Sequence, residues 1–84
     1  MRKYQILIID DDANSAKYLA RILDNKGYSA DYVCSADEAL GLLHQVNYDL
    51  LLIDFLLPRS DGLTLFDQAR EIDPDVLGVF ITAH

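Results

Sequence analysis

Cysteine, basic charge and long apolar runs are all scarce in this chain of 84 residues. A single cysteine, Cys34, leaves no possibility of an internal disulfide. No apolar run approaches the ~20 residues that a membrane-spanning helix needs. The N-terminal MRKYQ enters a strand directly, without the hydrophobic region of a secretion signal, so a cytoplasmic protein is the expectation. Lys and Arg number 7 against 14 Asp and Glu, a formal net charge of −7, and they are scattered rather than gathered into a face that could bind nucleic acid. Such a balance suits a cation or a basic protein partner. The length allows one small domain with a single core and excludes a second. With 51% hydrophobic and 25% charged residues and no low-complexity tract, that domain folds.

Apolar periodicity then divides the chain. YQILII is a continuous apolar run rich in β-branched residues, which reads as a strand covered on both faces. From Asn14 to Lys26, Ala16, Leu19, Ala20 and Leu23 recur at helical spacing, and Gly27 stands where a C-terminal cap belongs. SADYVC is short and of mixed polarity, as in an edge strand. Ser35 and Glu38 form a capping box for a second helix that turns Ala36, Ala39, Leu40 and Leu43 inward. YDLLLIDF is a buried strand, followed by the turn-rich LPRSDG. A third helix carries Leu65, Phe66, Ala69 and Ile72 and stops at Asp73-Pro74, and VLGVFIT is a fourth strand. The order β-α-β-α-β-α-β implies an α/β fold, a doubly wound parallel sheet with right-handed crossovers. The two most apolar strands, first and third, belong side by side, with the second outside the first. Winding reverses between them, so a crevice opens beyond their C-terminal ends.

Asp10 and Asp11 end the first strand, Asp54 ends the third and Thr82 ends the fourth, which brings all four to one edge. Converging carboxylates raise one another's pKa values unless a cation offsets them. Mg²⁺ fits best, because it takes oxygen ligands and leaves room for a phosphoryl oxygen. No His or Cys lies among these residues, which disfavours zinc or copper. The set suggests phosphoryl chemistry, with Asp54 as nucleophile, Asp10 and Asp11 as the metal-holding pair, and Thr82 donating a hydrogen bond to the transferred group.

At these residues the chain resembles a known family. ILIIDD and DFLLPRSDG are similar to the receiver domain of two-component response regulators, whose phosphoacceptor loop reads Asp-x-x-(Met/Leu)-Pro-x-x-Asp-Gly; Asp54, Leu57, Pro58, Asp61 and Gly62 match it. FITAH resembles the end of that family's fourth strand, a switch Thr or Ser followed by Ala. The resemblance implies a flavodoxin-like receiver fold and a protein that is a phosphorylated switch rather than an enzyme. It implies that Asp10 and Asp11 bind Mg²⁺, Asp11 more directly, with the backbone carbonyl of Leu56 completing the protein ligands. Asp54 would receive phosphate from a histidine kinase or phosphotransfer protein, and Thr82 would then move toward the phosphoryl group. One departure is a family lysine at the end of a fifth strand, for which this sequence has no counterpart after Lys26. Residues 1–84 are accordingly expected to be the N-terminal part of one receiver domain, lacking the last helix-strand-helix third. Losing a comparable electrostatic donor costs on the order of 10²–10³ in rate, so metal binding is expected to survive where phosphotransfer slows or fails. The fourth strand would lie open, and self-association through it is expected.

Blander readings exist for each residue. Asp10 to Asp12 could simply complement the positive end of the first helix, a part that suits Asp12 and Asn14. Asp54 and Asp61-Gly62 could be ordinary turn residues and Thr82 a plain strand former. Cys34 reads as a small buried hydrophobe, and the five tyrosines as element-end residues with wet hydroxyls. Two other functions compete. Asp10-x-Asp12 resembles the acidic pair of haloacid-dehalogenase-type phosphatases, but Asn14 stands where that family has Thr or Val, and DFLLPRSDG goes unexplained. The other is a receiver-like interaction module that is never phosphorylated.

Overall fold

The computed structural model describes residues 3–54 and 62–81. Seven elements alternate along them: β1 Gln5–Ile9, α1 Ala13–Asn25, β2 Ser29–Val33, α2 Ala36–Leu43, β3 Leu50–Asp54, α3 Gly62–Ile72 and β4 Leu77–Ile81. The strands form one parallel sheet in the order β2-β1-β3-β4. The sense of winding therefore reverses between β1 and β3, where the apolar runs predict it.

Local chemistry sets the helix ends. The Asp12 carboxylate accepts from the Asn14 and Ser15 amides at 3.1 and 3.4 Å and so caps α1. At the other end Gly27 takes φ 97°, and the amides of Gly27 and Tyr28 donate to the carbonyls of Asp24 and Leu23, both at 3.1 Å. That pair of bonds is a Schellman motif, and it sends the chain into β2. Ser35 accepts from the Glu38 amide at 3.2 Å while its hydroxyl donates to the Glu38 carboxylate at 3.2 Å, a variant of the capping box.

The two sides of the sheet are covered unequally. On one side α2 and α3 press Ala36, Ala39, Leu43, Leu65 and Ala69 against Leu7, Ile9, Leu51 and Ile53. Glycine permits the closest of these approaches: a Cβ on Gly78 would stand 2.6 Å from the Phe66 ring, and one on Gly62 would stand 3.1 Å from Ile53. On the other side α1 buries Ala16 and Ala20 against Ile6 and Ile8, with Leu50 and Leu52 only partly covered. Leu77 and Val79 of β4 pair with Leu50 and Leu52 and share that side, yet they remain 58% and 48% exposed. The expectation of a buried third strand thus holds fully only on the α2-α3 side, and β4 is exposed on the other.

Two smaller expectations also change. Tyr48 is a core residue, 2% exposed, because its hydroxyl donates to the Asp31 carboxylate at 2.6 Å and so can be buried without losing a partner. Burial first, and then the adjacent Asp31, push its pKa far above the ordinary tyrosine range. Cys34 is half-buried, since it lies just beyond β2 at the edge of the sheet.

Candidate functional site

The parallel register pairs Ile9 with Ile53, so the next residues, Asp10 and Asp54, leave neighbouring strands at the same level. Asp10 continues the ladder on its other side, where its amide donates to the Val33 carbonyl at 3.1 Å. Its backbone is thus fixed. The chain turns immediately afterwards, and the Asp12 amide donates to Asp10 Oδ1 at 3.0 Å, an Asx turn that aims the Asp10 carboxylate along the rim. Asp11 follows on that turn. One carboxylate oxygen from each of Asp10, Asp11 and Asp54 lies within 4.8 Å of the others, with Asp10 and Asp54 half-buried and Asp11 exposed.

Electrostatics separate this trio from its neighbour. Burial pushes the Asp10 pKa up, and the nearby Asp54 carboxyl and Asp11 charge push it further, while the bond from the Asp12 amide pulls it down. Asp12 behaves in the opposite way. The Ser15 hydroxyl, donating at 2.9 Å, and the Ser15 and Asn14 amides hold its pKa below the usual carboxylate range. Asp12 is therefore the helix cap, and its carboxylate is turned to α1. A phosphatase reading of Asp10-x-Asp12 needs that carboxylate free for acid chemistry, so the geometry disfavours it.

What remains is a set of oxygen donors crowded into a half-buried corner. Such a set fits a small hard cation of the Mg²⁺ type, which neutralises carboxylates without demanding nitrogen or sulfur ligands. Thr82 and Leu56 lie outside the described residues, as do Leu57, Pro58 and Asp61 of the loop motif. Gly62 opens α3, packed against Ile53 just before Asp54, which explains physically why that loop ends on glycine. The Val33 carbonyl and the Asp12 amide are the supporting groups that sequence reasoning missed. The aspartate itself signalled the turn, but nothing local could signal Val33.

A family model described as "Response regulator receiver domain" matches residues 6–84. The chain belongs to the response regulator receiver family. It is 38% identical over 84 residues to a response regulator receiver protein of Anaeromyxobacter sp., covering 100% of this chain and 34% of the relative. Among solved structures, a response regulator protein from Burkholderia pseudomallei with a phosphorylated aspartic acid, calcium ion and citrate superposes with a TM-score of 0.85 at 30% identity, covering 94% of this chain and 46% of that one. A complex of the histidine kinase ThkA with the response regulator protein TrrA matches at 32% identity and a TM-score of 0.85, covering 98% of this chain and 70% of that one. The first curated relatives matched are about three times as long, the chain spanning 34–35% of each. Receiver domains are signalling domains of two-component systems, and the flavodoxin-like sheet of this chain is the receiver one. No helix among the described residues is long and apolar enough to cross a membrane.

Proposed function

We propose that residues 1–84 are the phosphoacceptor part of a two-component response regulator, in which Asp54 takes a phosphoryl group from a histidine kinase. The observation that carries this reading is the convergence of Asp10, Asp11 and Asp54 within 4.8 Å at the switch point of the sheet. Asp10 and Asp11, with Asp54 and the Leu56 carbonyl, are the residues to hold Mg²⁺. When bound, the ion supplies positive charge against the carboxylates and the phosphoryl oxygens. The steps belong to the protein. Asp54 attacks phosphorus in line through a carboxylate oxygen, forming an acyl phosphate, while the phosphorus–nitrogen bond to the kinase histidine breaks and its electron pair leaves with the imidazole. Thr82 donates a hydrogen bond to the transferred group and moves toward it. The product stays on the chain, so the outcome is a conformational switch rather than a released compound.

Two solved relatives support the reading by analogy, one carrying a phosphorylated aspartic acid and a calcium ion, the other bound to a histidine kinase. The expected partner is a histidine kinase or phosphotransfer protein, met in the cytoplasm. The net charge of −7 argues against this segment contacting nucleic acid itself. Incubation with Mg²⁺ and acetyl phosphate tests the assignment, since that donor needs no partner protein. One phosphoryl group per chain on Asp54, absent without Mg²⁺ and absent in Asp54→Asn, is the expected result. Mg²⁺ binding with no label after prolonged incubation would reduce the chain to an interaction module.

A further inference from the structure

Asp11 is the member of the acidic trio that its own bonds do not hold. Asp10 accepts from the Asp12 amide at 3.0 Å and donates its own amide to the Val33 carbonyl, whereas the exposed Asp11 carboxylate has no hydrogen-bond or ion-pair partner among the described residues. The place of Asp11 therefore depends on the backbone of the turn from Asp10 to Asp12. The sheet fixes one end of that turn. The Asp12 side chain fixes the other, its carboxylate accepting from the Asn14 amide at 3.1 Å, the Ser15 amide at 3.4 Å and the Ser15 hydroxyl at 2.9 Å. The Asp12 carbonyl accepts from the Ala16 amide at 3.0 Å, and with φ −90° and ψ 102° the residue stands extended before α1. A single residue thus closes the turn with its amide and pins it to the helix with its carboxylate and carbonyl.

We infer, on the metal-binding reading proposed above, that Asp12 is the positioning residue of this corner and that its side chain gives the corner its preference for Mg²⁺ over Ca²⁺. The two ions differ in tolerance. Mg²⁺ demands near-ideal octahedral geometry with oxygens at about 2.0–2.1 Å, whereas Ca²⁺ accepts a looser and more variable set at about 2.3–2.6 Å. A corner that suits Mg²⁺ must therefore hold its carboxylates to within about 0.5 Å. Asp10 meets that demand through the Asp12 amide, and Asp54 has its place at the end of β3. Asp11 meets it only while the turn keeps its shape, which the Asp12 cap enforces. Groups that orient a metal ligand without touching the ion govern affinity by about 10–100-fold. Charge alone would not select between the ions, since the Asp12 carboxylate is turned to α1 and a further negative charge attracts both divalent cations alike.

Isothermal titration of the chain with MgCl₂, and separately with CaCl₂ at the same ionic strength, tests the assignment. Asp12→Ala removes both cap and charge, and should raise the Mg²⁺ dissociation constant at least about tenfold and that of Ca²⁺ less than about threefold. Asp12→Asn loses the charge but caps a helix as well as aspartate does, so it should stay within about threefold of the wild type for both ions. Asp49→Ala, which removes a bonded carboxylate at the opposite end of the strands, should change neither constant. If Asp12→Ala loses its far-UV circular dichroism, Asp12→Gly takes its place, because a helix N-terminus tolerates glycine while the carboxylate is still lost. Equal weakening of both ions, or binding to Asp12→Asn as weak as to Asp12→Ala, assigns the effect to charge and overturns the inference. So does a Mg²⁺ constant unchanged by loss of the cap. A wild type that binds no Mg²⁺ overturns it together with the metal-binding reading, whereas wild-type binding that is indifferent to Asp12 overturns the inference alone.

Discussion

Carboxylates stand at both ends of the strands, and the two ends treat them differently. At the N-terminal end each is tied to a backbone donor: Asp49 accepts from the Gln5 amide at 2.8 Å, and Asp24 accepts from the Ala30 amide at 3.0 Å. At the C-terminal end Asp10, Asp11 and Asp54 face one another within 4.8 Å, and Asp10 is pushed toward its protonated form. The first arrangement stabilises the fold, because an anionic acceptor on an N–H is a strong hydrogen bond. The second opposes it, because like charges in a half-buried corner repel. Identical side chains thus serve structure at one end and repel one another at the other.

Substitutions at the two ends should consequently move stability and function in opposite directions. Asp54→Asn has the largest expected effect, a loss of phosphoryl uptake of at least about 10³-fold through removal of the nucleophile. Its thermal midpoint, followed by circular dichroism, should stay level or rise, and a clear fall would erase the contrast between the ends. Next comes the metal. Mg²⁺ at about a hundred times its dissociation constant should stabilise the wild type by about 2.7 kcal/mol, since only the folded chain brings the three carboxylates together. In Asp10→Asn that increment should shrink while the metal-free midpoint rises, as removal of one like charge relieves the corner. Calorimetric scans with and without Mg²⁺ separate the two changes. At the opposite end, Asp49→Ala should destabilise by about 1–3 kcal/mol, leaving the Gln5 amide without its acceptor, and should leave the Mg²⁺ increment intact.

The contrast between the ends also explains what could be read from the sequence. Strand ends were legible because apolar runs and their punctuation are local signals, and Gly27, Ser35 with Glu38, and Asp73-Pro74 sit at or beside the element boundaries found. From the strand order it follows that Asp10, Asp11 and Asp54 share a rim. The partners of the remaining carboxylates were not legible. Gln5 and Asp49 are 44 positions apart, and Asp31 and Tyr48 are 17 apart. An aspartate reads the same in sequence whether it will face an amide, a hydroxyl or two other aspartates. Gly78 is a similar case, its small size meaningful only once the Phe66 ring lies over it. Outside the described residues, Thr82 rests on its place at the end of the fourth strand and on the resemblance, and Leu56 on the resemblance alone.

Asp31 offers the mildest test, because it lies at neither end. Its carboxylate on β2 accepts from the hydroxyl of buried Tyr48, which precedes β3, so the bond links the edge strand to the core. Tyr48→Phe keeps the ring and its packing and removes only the hydroxyl. The expected loss is about 1 kcal/mol in urea unfolding, with the Mg²⁺ increment unchanged. The pH dependence gives the sign. The folded state raises the Tyr48 pKa, so it holds the phenolic proton more tightly than the unfolded chain does. The resulting stabilisation is fully present below the unfolded tyrosine pKa of about 10 and is lost as pH rises from there toward the folded value. Unfolding curves at pH 8 and above pH 10 should therefore converge for wild type and Tyr48→Phe at the higher pH. A gap that persists unchanged would mean that Tyr48 acts through packing alone, with Asp31 contributing nothing to the core.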